Sequence, residues 1–304
     1  MGPHEPGLER VSCSTVSILD TDDLVIALEK ALPELSEEHQ AEASPWNPHD
    51  WVPWDLGRNF AFLGGKDWDP ADSTMSDEVK AALIALLLLK DNLPSYHRIL
   101  AMFFPAFSDW RALVGAWTAE DNRHAIVLRD YLVVTRSVDP VDAENRRRIH
   151  VVAGYRQHDK DVESLTPMRV LALLAVHELQ TAGFIAAMRG AVDDDVLTQI
   201  LAKIAADDEA QARYFLGFLS AGIVADQNAT VEGIDWALEH IDTIGADVAD
   251  FDEQRKLIAG YEGPQSRAAI AQAIVGAINL NSVDGLSDEA QAGKERILAL
   301  AASA

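Results

Sequence analysis

Four helical stretches each carry an apolar stripe broken at one level by polar or ionisable side chains, and this pattern constrains the fold most. Lys90 follows Leu83, Leu86 and Leu87 on one face. Asp121 and His124 share a face with Val114, Trp117, Thr118, Ala125 and Leu128. Glu178 lies among Leu171, Leu174, Ala175, Ala182 and Ile185, and Asp208 and Gln211 lie with Leu201, Ile204, Ala205, Ala212 and Phe215. Residues three and four apart are neighbours on a helix surface, and such stripes face a core. The interval from 90 to 121 is 31 residues and from 178 to 208 it is 30. Two antiparallel hairpins of equal length therefore bring all six side chains to one level. A buried ionisable group is costly unless paired or metal-bound, so several at one level mark a site. The outline is that of a carboxylate-bridged two-metal bundle, in which two helices give a Glu and two give Glu-x-x-His. Taken alone, Asp121-x-x-His124 would also suit a satisfied core histidine beside a surface acid.

Around these stretches the periodicity is helical and alternating patterns are scarce. An amphipathic helix is expected over 21–41, a long one from Ser76 to about Phe104 with a kink at Pro94, and others over about 108–137 and 139–157. Thr166-Pro167 opens a helix to about Gly190, Asp193–Asp195 one to about Ala221, and shorter helices follow near 231–249, 252–261, 265–278 and 287–302. The segment 44–72 is rich in Trp, Pro, Gly and Asp and reads as an ordered, aromatic-anchored connection, since flexible linkers rarely carry four tryptophans. The expected architecture is all-α, one domain over 1–304, with a bundle core at about 76–221 and additional C-terminal helices at 231–302.

Composition narrows the classes of partner. The net charge of −24 argues against nucleic acid and against an anionic membrane surface. The longest apolar run, 81–89, is too short to span a bilayer, so no membrane insertion is expected. One cysteine, Cys13, excludes an intrachain disulfide and a cysteine-rich metal site. With no apolar signal-peptide core at the N-terminus, the expected compartment is the cytoplasm. The clearest basic patch is Arg146–Arg148, which would equally serve as a solvated helix face.

Several longer stretches carry a resemblance: P-W-N-P-H-D-W-V-P-W, N-F-A-F-L-G-G-K-D-W-D-P, K-D-N-L-P-S-Y-H-R, W-T-A-E-D-N-R-H-A, L-R-D-Y-L-V-V-T-R-S-V-D-P and K-I-A-A-D-D. They span about 44–215, and the chain there resembles the soluble acyl-ACP desaturases, the plant stearoyl-ACP type and especially the mycobacterial branch. The resemblance implies a ferritin-like homodimer using two irons per chain, O₂ and electrons from a ferredoxin-like donor. Its reaction removes two hydrogens from a fatty acyl chain held on acyl carrier protein. Carried across, the family's ligand positions fall on Lys90, Asp121, His124, Glu178, Asp208 and Gln211. Only His124 and Glu178 are unchanged; Asp121 and Asp208 are shortened acids, and Lys90 and Gln211 are degraded ligand positions. Thr181 matches a threonine placed beside bound O₂, or is a hydroxyl bonded to its own turn. Trp46, Asp207 and His124 match the family's electron-entry route, with plain aromatic packing the alternative for Trp46.

Charge sets an expectation for the metal. Asp121, Glu178 and Asp208 against a protonated Lys90 leave two negative charges, enough for one divalent cation and not for a pair. The expected centre is therefore mononuclear, weakly metallated or metal-free, with metal at Asp121, His124, Glu178 and Asp208. Two functions follow. One is an acyl-ACP desaturase-type oxidoreductase of lipid biosynthesis with an altered metal site, desaturating or hydroxylating the chain. The other is a homologue that binds acyl chains or carrier protein without di-iron redox chemistry. In a further variant Lys90 is itself catalytic, its proton affinity lowered by burial.

Overall fold

The computed structural model describes residues 21–153 and 164–304; Cys13 and the end of the helix expected to reach Gln157 lie outside them. Among the described residues every regular element is helical. The long helices start where a side chain satisfies free backbone N–H groups. Ser76 accepts from Val79 N at the start of α3 (Asp77–Asp91), and Thr166 from Arg169 N at the start of α7 (Pro167–Met188). Asp194 accepts from Leu197 N ahead of α8 (Asp195–Ala225), and Asp226 from Ala229 N ahead of α9 (Gln227–His240).

Prolines cut where a kink or a continuous helix is expected. The N-terminal helix divides into α1 (Thr21–Glu29) and α2 (Leu32–Glu42), with Pro33 in the first turn of α2. The long helix from Ser76 breaks at Asn92 into α3 and α4 (Leu93–Phe103). Pro94 has no N–H to give to the carbonyl of Lys90, and its ring crowds that carbonyl. Lys90 thus ends up in the last turn of α3, against α5 (Trp110–Val134).

Helices α3, α5, α7 and α8 form the ferritin-like bundle, with α7 packed chiefly on α8 and α3 on α5. Two apolar cores fill its ends: Trp117, Leu171, Leu174 and Phe215 at one, Leu86, Leu128, Ile185 and Leu201 at the other. The six polar positions lie between them. The C-terminal helices belong to the same cores. Ile234 of α9, Ile274 of α11 (Pro264–Ala277) and Ile297 of α12 (Asp288–Ala301) join the first; Ile258 of α10 (Asp252–Ile258) joins the second. By length and composition the 167–191 stretch could cross a membrane, but its apolar side chains Leu171, Ala175, Phe184 and Ile185 are buried in this core and Glu178 interrupts them.

The connection 44–72 is ordered, and its main anchor is not a tryptophan. Arg136, buried and with a positive φ of 55°, donates to the carbonyls of Asn59, Lys66 and Asp67 and to Asp72. Trp46 and Val52 are buried, Trp68 bonds the Arg136 carbonyl, and Trp54 stays exposed.

Candidate functional site

The six positions meet. Lys90, Asp121, His124, Glu178 and Asp208 are each fully buried, and Gln211 nearly so. The Lys90 ammonium stands at their centre: its Nζ donates to Asp121 Oδ1 at 2.7 Å and to Asp208 Oδ1 at 2.9 Å, with Glu178 Oε2 at 3.7 Å. Burial would lower the proton affinity of such a lysine, but the charges of Asp121, Asp208 and Glu178 outweigh it. The ammonium is held well above the ordinary lysine range, the reverse of the expected lowering. Burial works against the Asp121 carboxylate too, yet Lys90 and His124 hold it well below its usual range.

His124 is clamped at both ring nitrogens. Nδ1 lies 3.1 Å from Asp121 Oδ1 and 3.5 Å from Asp208 Oδ1, and Nε2 lies 2.9 Å from Asp207 Oδ2. Desolvation opposes its charging, but the bonds to Asp121 and Asp207 raise its pKa to about 9. Glu178 goes the other way from a normal acid. Burial pushes it up to about 8, Lys90 opposes, and Asp208 and Asp121 add to the rise. Its Oε1 accepts from Trp117 Nε1 at 2.8 Å. Asp121 Oδ2, Glu178 Oε2 and Asp208 Oδ2 are buried without a hydrogen bond. Asp121, His124 and Asp208 each bring a ligand atom within 4.8 Å of one another, as a cation site needs.

Other positions singled out in the sequence divide. Thr181 is buried and its hydroxyl bonds back to the carbonyls of His177 and Glu178. Trp46 is more than packing: Nε1 donates to Asp207 Oδ2 at 2.8 Å, its ring lies parallel to His124 at 6.2 Å, and Arg123 sits over it at 5.3 Å. Asp207 also accepts from Arg123 at 3.0 Å, so a continuous chain of contacts runs from Trp46 to His124. Gln211 does not join the cluster's bonds; its Nε2 donates to Glu120 Oε2 at 3.2 Å. Two acids neutralise much of the basic triplet, Asp142 pairing with Arg146 and Glu144 with Arg147. Sequence reasoning missed Trp117 as the partner of Glu178, although it lies on the same stripe, and it missed Glu120 entirely.

A bundle of four helices presenting carboxylates and histidine to its centre defines the ferritin-like class. Within it the chain matches the model of the fatty acid desaturase family over residues 20–303. It is 35% identical over 256 residues to the Mycobacterium tuberculosis protein named acyl-ACP desaturase DesA2, covering 83% of this chain and 91% of the relative. It is 37% identical over 241 residues to DesA1 of the same organism, covering 78% and 71%. A chloroplastic stearoyl-ACP 9-desaturase of Arabidopsis thaliana is 25% identical over 277 residues, covering 84% and 70%. The X-ray structure of DesA2 superposes with a TM-score of 0.70 at 29% identity, over 89% of this chain and 98% of that one. The chain belongs to the fatty acid desaturase family, with acyl-ACP desaturases of mycobacteria and plants as its relatives.

Proposed function

We propose that this chain works on a fatty acyl group thioesterified to acyl carrier protein, at a desaturase-type centre altered so that two irons do not fit. The observation that carries the second half is the position of the Lys90 ammonium, bonded to both Asp121 and Asp208. Around it the charges balance without a metal. Lys90, His124 and Arg123 face Asp121, Asp208 and Asp207, while Glu178, with a pKa of about 8, is mainly protonated at neutral pH. A pair of divalent ions here would put four positive charges among groups that already cancel, in a poorly solvated core. The second histidine position offers only Gln211, turned outward to Glu120. The residues present therefore do not fit a di-iron pair. A single metal at Asp121, His124, Glu178 and Asp208 would have to displace the ammonium.

The acyl half rests on the relatives' names and on a cleft beside α7. Adjoining cavities of about 520, 440 and 390 Å³ run between α7 and the segment 241–273. Phe184, Ile244, Ile258 and Ile270 give them apolar walls, and Glu262 lines all three. Iron, O₂ and electrons from a ferredoxin-like donor through Trp46 and Asp207, with Thr181 by the centre, belong to the oxidoreductase form of this reading. The form without redox chemistry keeps the bundle, the cleft and a homodimer, and the seated ammonium favours it. Mixing saturated acyl-ACP with the protein, a ferredoxin reducing system and iron tests both. Binding of acyl-ACP over holo-ACP is expected, without double-bond formation; turnover at a rate ordinary for a desaturase would overturn the altered centre, and no binding would overturn the acyl reading.

A further inference from the structure

Outside the Lys90 cluster, three polar side chains from three helices converge on one atom. His39 of α2 places Nε2 2.9 Å from Glu120 Oε2 of α5, and Gln211 of α8 places its amide nitrogen 3.2 Å from the same oxygen. We propose that His39, Glu120 and Gln211 form a site for one divalent first-row cation such as zinc or cobalt, just outside the bundle centre.

The donor chemistry suits such an ion, which takes imidazole nitrogen together with carboxylate and carbonyl oxygen. The spacing suits it too. Ligand atoms each about 2.1 Å from a common ion lie roughly 3 Å to 3.5 Å apart in a tetrahedral arrangement, and His39 Nε2 and the Gln211 amide nitrogen lie 2.9 and 3.2 Å from Glu120 Oε2. Gln211 needs only a half-turn of its amide, which exchanges Nε2 for Oε1 with little change in shape. Its Oε1 is buried without a hydrogen bond in the present orientation, so that orientation holds no bond the turn would break at the oxygen.

The histidine ring is held in place by packing. Its ring stacks on Tyr214 at 4.9 Å and 18°, and the Tyr214 hydroxyl is fixed by Ser36 at 2.7 Å. His39 Nδ1 is buried without a hydrogen-bond partner. Access is open as well: Glu120 is 21% exposed, whereas the Lys90 cluster has no exposed member. On coordination the hydrogen bonds to Glu120 Oε2 are replaced by the ion, the Nε2 lone pair turns to it, and any proton held there leaves to solvent. No electron transfer is involved.

The site is independent of the acyl reading, and it shares only Gln211 with the six positions around Lys90. The full chain, stripped with chelator, is titrated with Zn²⁺ by calorimetry and with Co²⁺ by visible absorption. One equivalent is expected to bind, with a Co²⁺ spectrum of a nitrogen-ligated ion and a raised melting temperature. His39→Ala and Glu120→Gln are each expected to weaken this by about ten-fold or more. Circular dichroism of the metal-free variants checks that α2 remains folded, and Glu34→Gln, an exposed change on the same helix, should bind within a few-fold of the parent. No binding, or binding that His39→Ala leaves unchanged while the variant is folded, would overturn the proposal.

Discussion

Replacing Lys90 with methionine keeps a chain of similar length and removes the ammonium from between two carboxylates. With donor–acceptor distances of 2.7 and 2.9 Å, each contact is worth about 6 kcal/mol of gross attraction at an effective dielectric of about 20. Most of that is cancelled by the cost of burying the charges. What remains on deleting one partner of a buried pair is typically about 3–5 kcal/mol, because Asp121 and Asp208 stay behind uncompensated. In a chain of this size that corresponds to a fall in melting temperature of roughly 5–8 °C. In a His39→Ala background, so that only the bundle centre is read, the chain with Lys90 is expected to melt at the same temperature with and without chelator. Lys90→Met should melt lower in chelator and recover much of the loss with Mn²⁺ or Fe²⁺, since a cation can now take the vacated place among Asp121, His124 and Asp208. Differential scanning calorimetry with and without metal reads all of this. A loss below about 1 kcal/mol, the worth of an exposed ion pair, combined with indifference to metal would refute the argument that the ammonium does the cation's work.

Three other outcomes follow. His124, with a folded pKa of about 9, contributes stability that is complete below its unfolded value near 6.5 and is lost as pH rises through 9. Glu178, raised to about 8, holds its proton in the fold where the unfolded chain has released it, so stability also falls from about pH 4.5 to 8. Asp121, held low, loses its contribution only as pH drops below the normal range for an aspartate. Thermal melts should therefore be highest in mildly acidic buffer and decline to pH 9, and a maximum at pH 8 or above would contradict these assignments. Asp207→Asn removes the anionic acceptor shared by Trp46, Arg123 and His124. Histidine NMR titration should then show the pKa of His124 well below 9 and a stability loss of about 2–3 kcal/mol. The double change Lys90→Glu, Gln211→His restores the family's ligand types and should bind more iron than the parent by elemental analysis; no gain would count against the alignment of these positions.

The helices and the level of the site were legible because both follow from local rules. Stripes at 3.6-residue period placed Lys90, Asp121, His124, Glu178 and Asp208 inward, and the equal intervals placed them together. The breaks at Ala31 and Asn92 were harder to read, since proline allows either a kink or a stop and tertiary packing decides. Charge arithmetic on the sequence alone left two negative charges for a cation to balance. The structure removes both, because His124 is clamped by two acids and Glu178 is desolvated enough to keep its proton. Neither shift can be read from residue types, since the Glu178 shift depends on how deeply the fold buries it and the His124 shift on which acids end up against its ring. Glu120 lies next to Asp121 and reads as a surface acid; only the docking of α2 from 81 residues away gives it His39.

Iron content per chain tests the central claim most directly. Protein purified from iron-replete cells and analysed by inductively coupled plasma mass spectrometry, with an iron-reconstituted sample beside it, gives the number. In His39→Ala protein, which lacks the outer cation site, well below one tightly held iron per chain is expected at the Lys90 cluster, together with a melting temperature that chelation does not move. Two irons per chain, lost on chelation with a fall in stability, would show that the ammonium gives way to a metal pair and would contradict the account.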